Sequence, residues 1–255
     1  MKPRAAPRVA LLALAALCLG GADVAKRSGY LDASPATRAM QDDDTANPGF
    51  LWVLQGETRW RQAAGQARRS CADCHGPPGS MRGVAARYPA FDPALGRPVT
   101  LDARIRQCQQ DRQMAPGDEP DSETMLALTA LVGLQSRGLP VSIDTGGAAR
   151  PALEAGRRLF ETRMGQFNLS CAQCHDGLAG QRLAGSVIPQ GHPNGYPEYR
   201  LEWQGLGSLT RRIRNCLSGV RAEPFAADSD DLANLMFFLA WRASGLPVET
   251  PAVRP

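Results

Sequence analysis

The second half of this 255-residue sequence repeats the first half. Three blocks match, at offsets of 100, 108 and 107 residues: 70–75 with 170–175, 101–108 with 209–216, and 138–141 with 245–248. Because the offset changes along the chain, one loop of the second copy is eight residues longer and a later segment is one residue shorter. A duplication of this kind predicts two tandem copies of one small domain, each of roughly 100 residues.

Both copies contain the same series of elements. Each runs from a helix through a Cys-x-x-Cys-His motif and a long loop to an arginine-rich segment with one cysteine, and then to an apolar helix. The last helices are predicted over 122–136 and 228–244, where apolar residues recur at helical spacing. Ser122 and Ser229, or the aspartates before them, are the expected N-caps. Since little of the chain has a strand pattern, the predicted fold class is all-α, mainly helical with long loops.

A glycine-containing stretch separates the two copies. Residues 144–149 include two adjacent glycines, which is typical of a linker. Gly138 and Gly245 are expected to end the last helix of each copy, since each is followed two residues later by proline. The first domain is therefore predicted over 23–145 and the second over 146–255.

The first 22 residues are typical of a secretory signal peptide. They combine a positively charged start with an apolar run over 9–19 and small residues at 20–22. Cleavage is expected after Ala22, with Ala25 as the alternative. Removal of the leader takes away three of the 29 Lys and Arg residues and leaves 26 against 25 Asp and Glu, a formal charge of +1. This balance argues against a nucleic-acid partner, no later stretch is apolar enough to span a membrane, and the leader predicts a periplasmic protein.

Six cysteines remain beyond the leader, and four of them form the two Cys-x-x-Cys-His motifs. An even number in an exported protein suggests disulfides by default. At this spacing, however, two thiols on one helical turn can add to the vinyl groups of haem, and the adjacent histidine then faces the iron. A redox Cys-x-x-Cys does not need the histidine, and a zinc site needs further ligands where only His192 remains. The motifs predict two covalently attached haem c groups, held by Cys71, Cys74 and His75 in the first copy and by Cys171, Cys174 and His175 in the second.

The sixth ligand of each iron follows less directly from the sequence. The chain has three histidines in all and two are already assigned, which excludes two His/His haems. Only Met236 follows His175, and its place on the apolar face of a predicted helix is more typical of packing. Cys108 and Cys216 occupy matched positions between the haem motif and the last helix, which favours one thiolate ligand for each iron. A disulfide between Cys108 and Cys216, or two buried thiols without a ligand role, are the alternatives.

Arginines cluster around the second lone cysteine, Cys216. They are Arg211, Arg212, Arg214 and Arg221. Cationic neighbours lower the pKa of a thiol, and guanidinium groups offer paired donors to a small oxyanion. Because Arg212 and Arg214 have counterparts in the first copy, pairing with haem propionates is the alternative role for them, whereas Arg211 is specific to the second copy.

Together these motifs resemble the SoxA family, the two-haem subunits of the thiosulfate-oxidising SoxAX cytochromes. The most specific match is the block 212–224, which reads Arg-Ile-Arg-Asn-Cys and, after four residues, Arg-Ala-Glu-Pro. The segments 71–75, 104–108 and 171–176 complete the resemblance, which covers nearly the whole chain after the leader. The resemblance implies two tandem cytochrome c-like domains.

The resemblance also implies an activity, that of an L-cysteine S-thiosulfotransferase. Such an enzyme joins thiosulfate oxidatively to a cysteine of the carrier protein SoxY, passes two electrons to a c-type cytochrome, and works as a heterodimer with the smaller haem subunit SoxX. By resemblance, Cys216 is the axial ligand of the second haem and a catalytic persulfide, and Arg212 contacts the substrate. Arg211 and Arg214 are further substrate-binding candidates, and Cys108 is the axial ligand of the first haem. The alternative is a two-haem electron-transfer cytochrome without chemistry of its own.

Overall fold

A computed structural model describes residues 25–255 of the chain. The predicted signal peptide, 1–22, lies outside these described residues. Within them, none of the helices combines the length and the apolar character that a membrane span requires. The described part is mainly helical with long loops, which confirms the predicted fold class.

The helices and strands of residues 25–255 are short. The α-helices are α1 (Pro35–Asp42), α2 (Phe50–Arg61), α3 (Cys71–His75), α4 (Leu101–Gln113), α5 (Glu123–Leu134), α6 (Arg150–Glu161), α7 (Cys171–His175), α8 (Leu209–Gly219) and α9 (Asp230–Arg242). Single 3₁₀ turns lie at Gly29–Asp32, Pro78–Met81, Ala85–Arg87 and Gly147–Ala149. The strands are β1 (Ala90–Asp92), β2 (Arg97–Val99), β3 (Arg182–Leu183), β4 (Ser186–Val187), β5 (Glu198–Arg200), β6 (Gly205–Gly207) and β7 (Ala252–Arg254).

The last helix of each copy begins where the capping residues predict. The Ser122 hydroxyl accepts a hydrogen bond from the Met125 amide at the start of α5, and the Ser229 hydroxyl accepts one from the Leu232 amide at the start of α9. A serine at this position satisfies an amide that has no partner inside the helix. Both helices end two residues earlier than predicted, at Leu134 and Arg242.

The duplication is visible in the packing of the helices. In the first copy α2 lies against α5, and in the second α6 lies against α9 in the same way. A glycine marks each crossing: a side chain at Gly56 would come within 2.3 Å of the Ala127 carbonyl oxygen, and one at Gly156 within 2.0 Å of the Asn234 carbonyl oxygen. Because only glycine permits this approach, the two matched glycines fix the same helix pair in both copies.

The two copies join through the repeated Gly-Leu-Pro-Val segments. The Gly138 amide donates to the Val248 carbonyl at 2.8 Å, and in the symmetric contact the Gly245 amide donates to the Val141 carbonyl at 2.9 Å. This exchange relates the copies by an approximate two-fold axis. A shared core lies beside it, with Phe237 fully buried among residues of both copies.

Two short hairpins precede the arginine-rich helices and were not predicted from the sequence. The pair β1 and β2 recurs as β5 and β6, and β7 at the end of the chain adds to β5 as a parallel neighbour. Between the haem motif and the hairpin, the second copy has 176–195 where the first has 76–87, and the added residues include the β3–β4 hairpin. The eight-residue growth predicted from the offsets therefore lies directly after His175.

Candidate functional site

Both Cys-x-x-Cys-His motifs form the same one-turn helix. In α3 the Ser70 hydroxyl accepts from the Asp73 amide, and in α7 the Ser170 hydroxyl accepts from the Gln173 amide. In each case the side-chain oxygen of the third residue accepts a hydrogen bond from the serine amide, which completes a capping box. This geometry places two thiols three residues apart on one turn, with the histidine at the end of the helix.

Each lone cysteine lies beside the haem motif of its own copy. Burial raises the pKa of Cys71 to about 11, and the next largest cause is the neighbouring charge of Cys108. Burial likewise raises the pKa of Cys171 to about 11, with Cys216 as the second cause. All six cysteines of residues 25–255 are free thiols, so the structure contains no bond between Cys108 and Cys216.

The two histidines of the motifs have different surroundings. The His175 ring is half-buried, its Nδ1 lies 2.7 Å from the Pro189 carbonyl oxygen, and burial lowers its pKa. A proton on Nδ1 donated to this carbonyl leaves the lone pair of Nε2 free, which is what an iron ligand requires. His75 is exposed, and its ring faces that of Trp60 at a centroid distance of 5.8 Å. The paired thiols, the free Nε2 and the nearby third sulfur are a donor set that fits haem c.

The lone cysteines also differ in their accessibility. Cys108, on α4, is half-buried, and burial raises its pKa although Arg104 and Arg112 act in the opposite direction. Cys216, on α8, is exposed. The polypeptide therefore covers Cys216 less than it covers Cys108.

Arg212 lies one helical turn before Cys216 and on the same face of α8, since residues four apart are neighbours on a helix. Its guanidinium donates to the Glu202 carboxylate at 3.3 Å. The same carboxylate oxygen accepts from Arg200 at 2.8 Å. Arg212 is thus a half-buried cation that shares its carboxylate partner with a second arginine.

The counterpart in the first copy has a closer ion pair. Arg104 donates to the Asp92 carboxylate at 2.5 Å, and this hydrogen bond is the main cause of the lowered pKa of Asp92. The position of Asp92 is occupied by Arg200 in the second copy. The substitution removes a carboxylate from the second site and leaves Arg212 with the exposed, shared Glu202 instead.

The remaining arginines of the cluster have distinct partners. The Arg211 guanidinium lies over the Trp203 ring at 4.3 Å from its centroid. Arg221 donates to the Gln166 side chain at 3.2 Å and lies over the Phe167 ring at 5.0 Å, in the loop before α7. Arg214 is exposed. Arg211 and Arg221 are thus each held against an aromatic ring.

The structural counterpart of Arg221 in the first copy is Met114. Both residues have a positive φ, at 56° and 54°, and the carbonyl of each accepts a hydrogen bond at 3.3 Å, from Gln166 and from Gln66 respectively. The one-residue shortening therefore lies within the last turns of α8. The first copy has no arginine at this point, so Arg221 is specific to the second site.

The methionines and His192 are engaged elsewhere. Met236 is buried, and its sulfur accepts from the Thr210 hydroxyl at 3.7 Å, which agrees with the packing role expected for it. Met114 is 58% exposed at the end of α4. His192 Nε2 donates to the side-chain oxygen of Gln190 at 3.1 Å, and burial lowers the pKa of His192 to about 4.

Sequence reasoning missed the residues behind His175. Pro189 follows the motif by fourteen residues, and its carbonyl has no side-chain signature. The sequence offsets did show that the second copy has a longer loop, but they gave no indication that this loop contacts the His175 ring.

The chain is similar to known cytochrome c-domain proteins over most of its length. The sequence model of the family described as "SoxA/TsdA, cytochrome c domain" matches it twice, over 55–141 and 155–248. It is 39% identical over 229 residues to the L-cysteine S-thiosulfotransferase subunit SoxA of Pseudaminobacter salicylatoxidans, which covers 89% of this chain and 80% of the relative. For the SoxA subunit of Paracoccus pantotrophus the identity is 36% over 227 residues, covering 89% and 78%.

A solved structure has the same fold. The crystal structure of SoxXA from P. pantotrophus matches with a TM-score of 0.86 at 36% identity, covering 89% of this chain and 86% of that chain. The two family matches each contain one Cys-x-x-Cys-His motif, which confirms the predicted tandem cytochrome c-like domains. The chain therefore belongs to the SoxA family of c-type cytochromes.

Proposed function

We propose that this chain is the thiosulfate-joining subunit of an L-cysteine S-thiosulfotransferase. The exposed Cys216, with Cys171 beside it and Arg212 one turn away, is the observation that carries the proposal. The names of the relatives support the same activity. An electron carrier needs neither a thiol that the polypeptide leaves uncovered nor an arginine one helical turn before it.

Two haem c groups belong to this proposal. Cys71 and Cys74 would hold the first through thioether bonds, and His75 and Cys108 would bind its iron. Cys171 and Cys174 would hold the second in the same way, and His175 and Cys216 would bind its iron. Bound haem supplies one-electron redox chemistry. The pairing of each lone cysteine with its own motif supports this assignment.

The reaction joins two sulfur atoms at Cys216. Arg212, assisted by Arg211 or Arg214, holds the sulfonate oxygens of the thiosulfate dianion. The Cys216 thiolate, or the persulfide that it carries, bonds to the terminal sulfur of thiosulfate, and two electrons leave for a c-type cytochrome. The carrier's cysteine thiolate then attacks the sulfur that came from the terminus of thiosulfate, and the Cys216 thiolate, or its persulfide, is the leaving group. The carrier retains –S–SO₃⁻, and the sulfur and electron counts balance.

The proposed setting is the periplasm. Processing of the leader over 1–22 releases the domains 23–145 and 146–255, in keeping with the haem attachment expected there. The proposed partners are a small SoxX-like haem subunit in a heterodimer, a SoxY-like carrier, and a c-type cytochrome as electron acceptor. The similarity to SoxA within a SoxXA complex supports the first of these.

A reconstituted assay tests the function. The haem-loaded chain with its small subunit is mixed with thiosulfate, oxidised cytochrome c and a carrier protein that has one cysteine. The carrier's mass is expected to rise by one thiosulfate while two cytochrome c molecules are reduced, and a carrier with serine instead gives neither signal. Reduction of cytochrome c without a change in the carrier's mass would instead support a simple electron carrier.

Replacing Glu202 by glutamine is expected to strengthen substrate binding. The Glu202 carboxylate competes with an incoming anion for Arg212, at 3.3 Å. An exposed ion pair contributes up to about 1 kcal/mol, so the KM for thiosulfate should fall about two- to five-fold with little change in kcat. Arg200 retains its bond to Glu198 at 3.0 Å in this variant.

The matched control is Glu161→Gln, which removes another exposed glutamate, paired with Arg157 on α6. Its KM for thiosulfate is expected to stay at the wild-type value. An unchanged or higher KM in a folded Glu202→Gln enzyme would mean that Glu202 does not limit access to Arg212.

A further inference from the structure

The loop that follows the second haem motif is held at both ends by one side chain, that of Arg242. One guanidinium nitrogen donates to the Gln190 carbonyl at 3.1 Å, and the other forms an ion pair with Asp176. Asp176 directly follows His175 in the chain, and Gln190 directly follows Pro189. The two contacts therefore lie at the two points where the loop leaves and returns to the His175 ring.

The loop itself is closed only by local backbone contacts. Most residues between 176 and 187 are exposed, and the two-residue hairpin of β3 and β4 is extended by hydrogen bonds that the Gly180 amide donates to the Ile188 carbonyl and the Ile188 amide to the Gln181 carbonyl, both at 2.8 Å. Closing a long, exposed loop costs conformational entropy, so the return of its last residues to the ring requires specific contacts. Arg242 provides them from the end of α9.

Arg242 is itself held rigidly. Its side chain is 14% exposed, and its guanidinium lies over the Phe160 ring at 4.3 Å from the centroid. Phe160 is 1% exposed in the core between α6 and α9. Because the Arg242 side chain is packed on this core, it holds the loop in a fixed place relative to α9.

The returning backbone lies against the imidazole. The Pro189 carbonyl oxygen is 2.7 Å from Nδ1 of His175. A side chain at Gly191, whose φ is +73°, would come within 3.0 Å of Cγ and Nδ1 of the same ring. The Gln190 side chain adds a second brace, because its oxygen accepts from the Arg27 amide at 2.8 Å and its nitrogen donates to the Ala25 carbonyl at 3.1 Å.

The first copy has no such arrangement. The residue at the place of Arg242 is Gln135, whose amide donates to the Leu131 carbonyl of its own helix at 3.1 Å. His75 is exposed, and within residues 25–255 its ring has no hydrogen-bond partner. The brace is therefore a property of the second copy, where the exposed Cys216 lies.

We propose that Arg242 is a positioning residue that holds the 176–190 loop against His175 and so fixes the ring orientation and Nδ1 hydrogen bond of the second haem's proximal ligand. A hydrogen bond from Nδ1 to a carbonyl raises the basicity of Nε2 and sets the plane of the ring. This inference rests on the proposed ligation of haem by His175 and does not depend on thiosulfate transfer.

Low-temperature EPR spectra of the oxidised holoprotein test the inference in Arg242→Gln, which gives the second copy the residue of the first. The low-spin signal of the second haem, assigned by its change in Cys216→Met, is expected to shift and broaden as the ring adopts several orientations. The signal of the first haem is expected to stay unchanged, which makes it an internal control. Arg242→Lys, which retains the charge and one donor, should restore most of the wild-type line shape.

Two further variants separate positioning from general damage. Arg137→Gln removes an exposed ion pair with Asp44 near the end of α5 and should leave both signals unchanged. Asp176→Asn weakens only one of the two contacts of Arg242, so the signal of the second haem should shift less than is expected for Arg242→Gln. This variant tests the inference if Arg242→Gln does not fold. Wild-type signals in a folded Arg242→Gln, or equal changes at both haems, would overturn the inference. Absence of His-ligated signals from the wild type would instead overturn the ligation on which it rests.

Discussion

Cys216→Met is expected to abolish thiosulfate transfer while the chain remains a folded two-haem protein. Methionine retains a sulfur that can bind iron, but its thioether cannot form a bond to the sulfur of thiosulfate and then leave as a thiolate. Loss of a covalent nucleophile should lower kcat for carrier modification by more than about 10³-fold. Mass spectrometry of the carrier protein measures this loss directly.

The matched control is Cys108→Met in the first copy. Cys108 is half-buried, whereas Cys216 is exposed, so neither substrate nor carrier is expected to react with Cys108. Carrier modification should remain within about two-fold of wild type, a difference of less than about 0.5 kcal/mol in the activation barrier. Each variant should lose one His/thiolate EPR signal and gain one of the His/Met type. A Cys216→Met enzyme that still modifies the carrier would show that the reaction does not pass through this sulfur.

The sequence alone predicted the parts of the site that depend on local spacing. The one-turn helices at Cys71–His75 and Cys171–His175 follow from motifs whose contacts are all within five residues. The caps of α5 and α9 are similarly local. The family resemblance then identified Arg212 and Cys216 as a pair, and the structure has them one turn apart on α8.

The hairpins were missed because their strands are too short to have a pattern. Strands of three residues, such as Glu198–Arg200, show no alternation that a periodicity argument can detect. Their stability comes from distant partners, since β7, at the end of the chain, pairs with β5 more than fifty residues earlier. Register with a distant segment cannot be obtained from local composition.

The alignment of Arg221 could not be obtained from the sequence either. Pro116 and Pro224 are identical residues 108 apart, so the sequence alone extends the offset of 108 beyond the lone cysteines. The hydrogen bonds to the loops before α3 and α7 instead pair Met114 with Arg221, at an offset of 107. The second copy is one residue shorter in the last turn of α8, and the backbone after this turn still makes the same hydrogen bond to the loop before the haem motif.

Arg212→Gln is expected to remove part of the stabilisation of the transition state for thiosulfate transfer without disturbing the fold. Arg212 is half-exposed, and its partner in the structure is the exposed Glu202, so the loss of this ion pair has little effect on stability. Hydrogen bonds between charged groups contribute about 1.5–3 kcal/mol, so kcat/KM for thiosulfate should fall roughly 10- to 100-fold.

Arg104→Gln is the control that decides how this result is interpreted. Arg104 holds the same place relative to Cys108 that Arg212 holds relative to Cys216, but it is bound to Asp92 at 2.5 Å. If both arginines pair only with haem propionates, each variant should change the EPR signal of its own haem, and the two variants should have the same kcat/KM for thiosulfate. If Arg212 binds the substrate, only Arg212→Gln should lower kcat/KM. Added sulfate should then compete with thiosulfate for Arg212 in the wild type, so that the difference in kcat/KM between wild type and Arg212→Gln becomes smaller. Because the copies share one fold, a difference between these variants comes from the few residues around Arg212 that the duplication has not preserved.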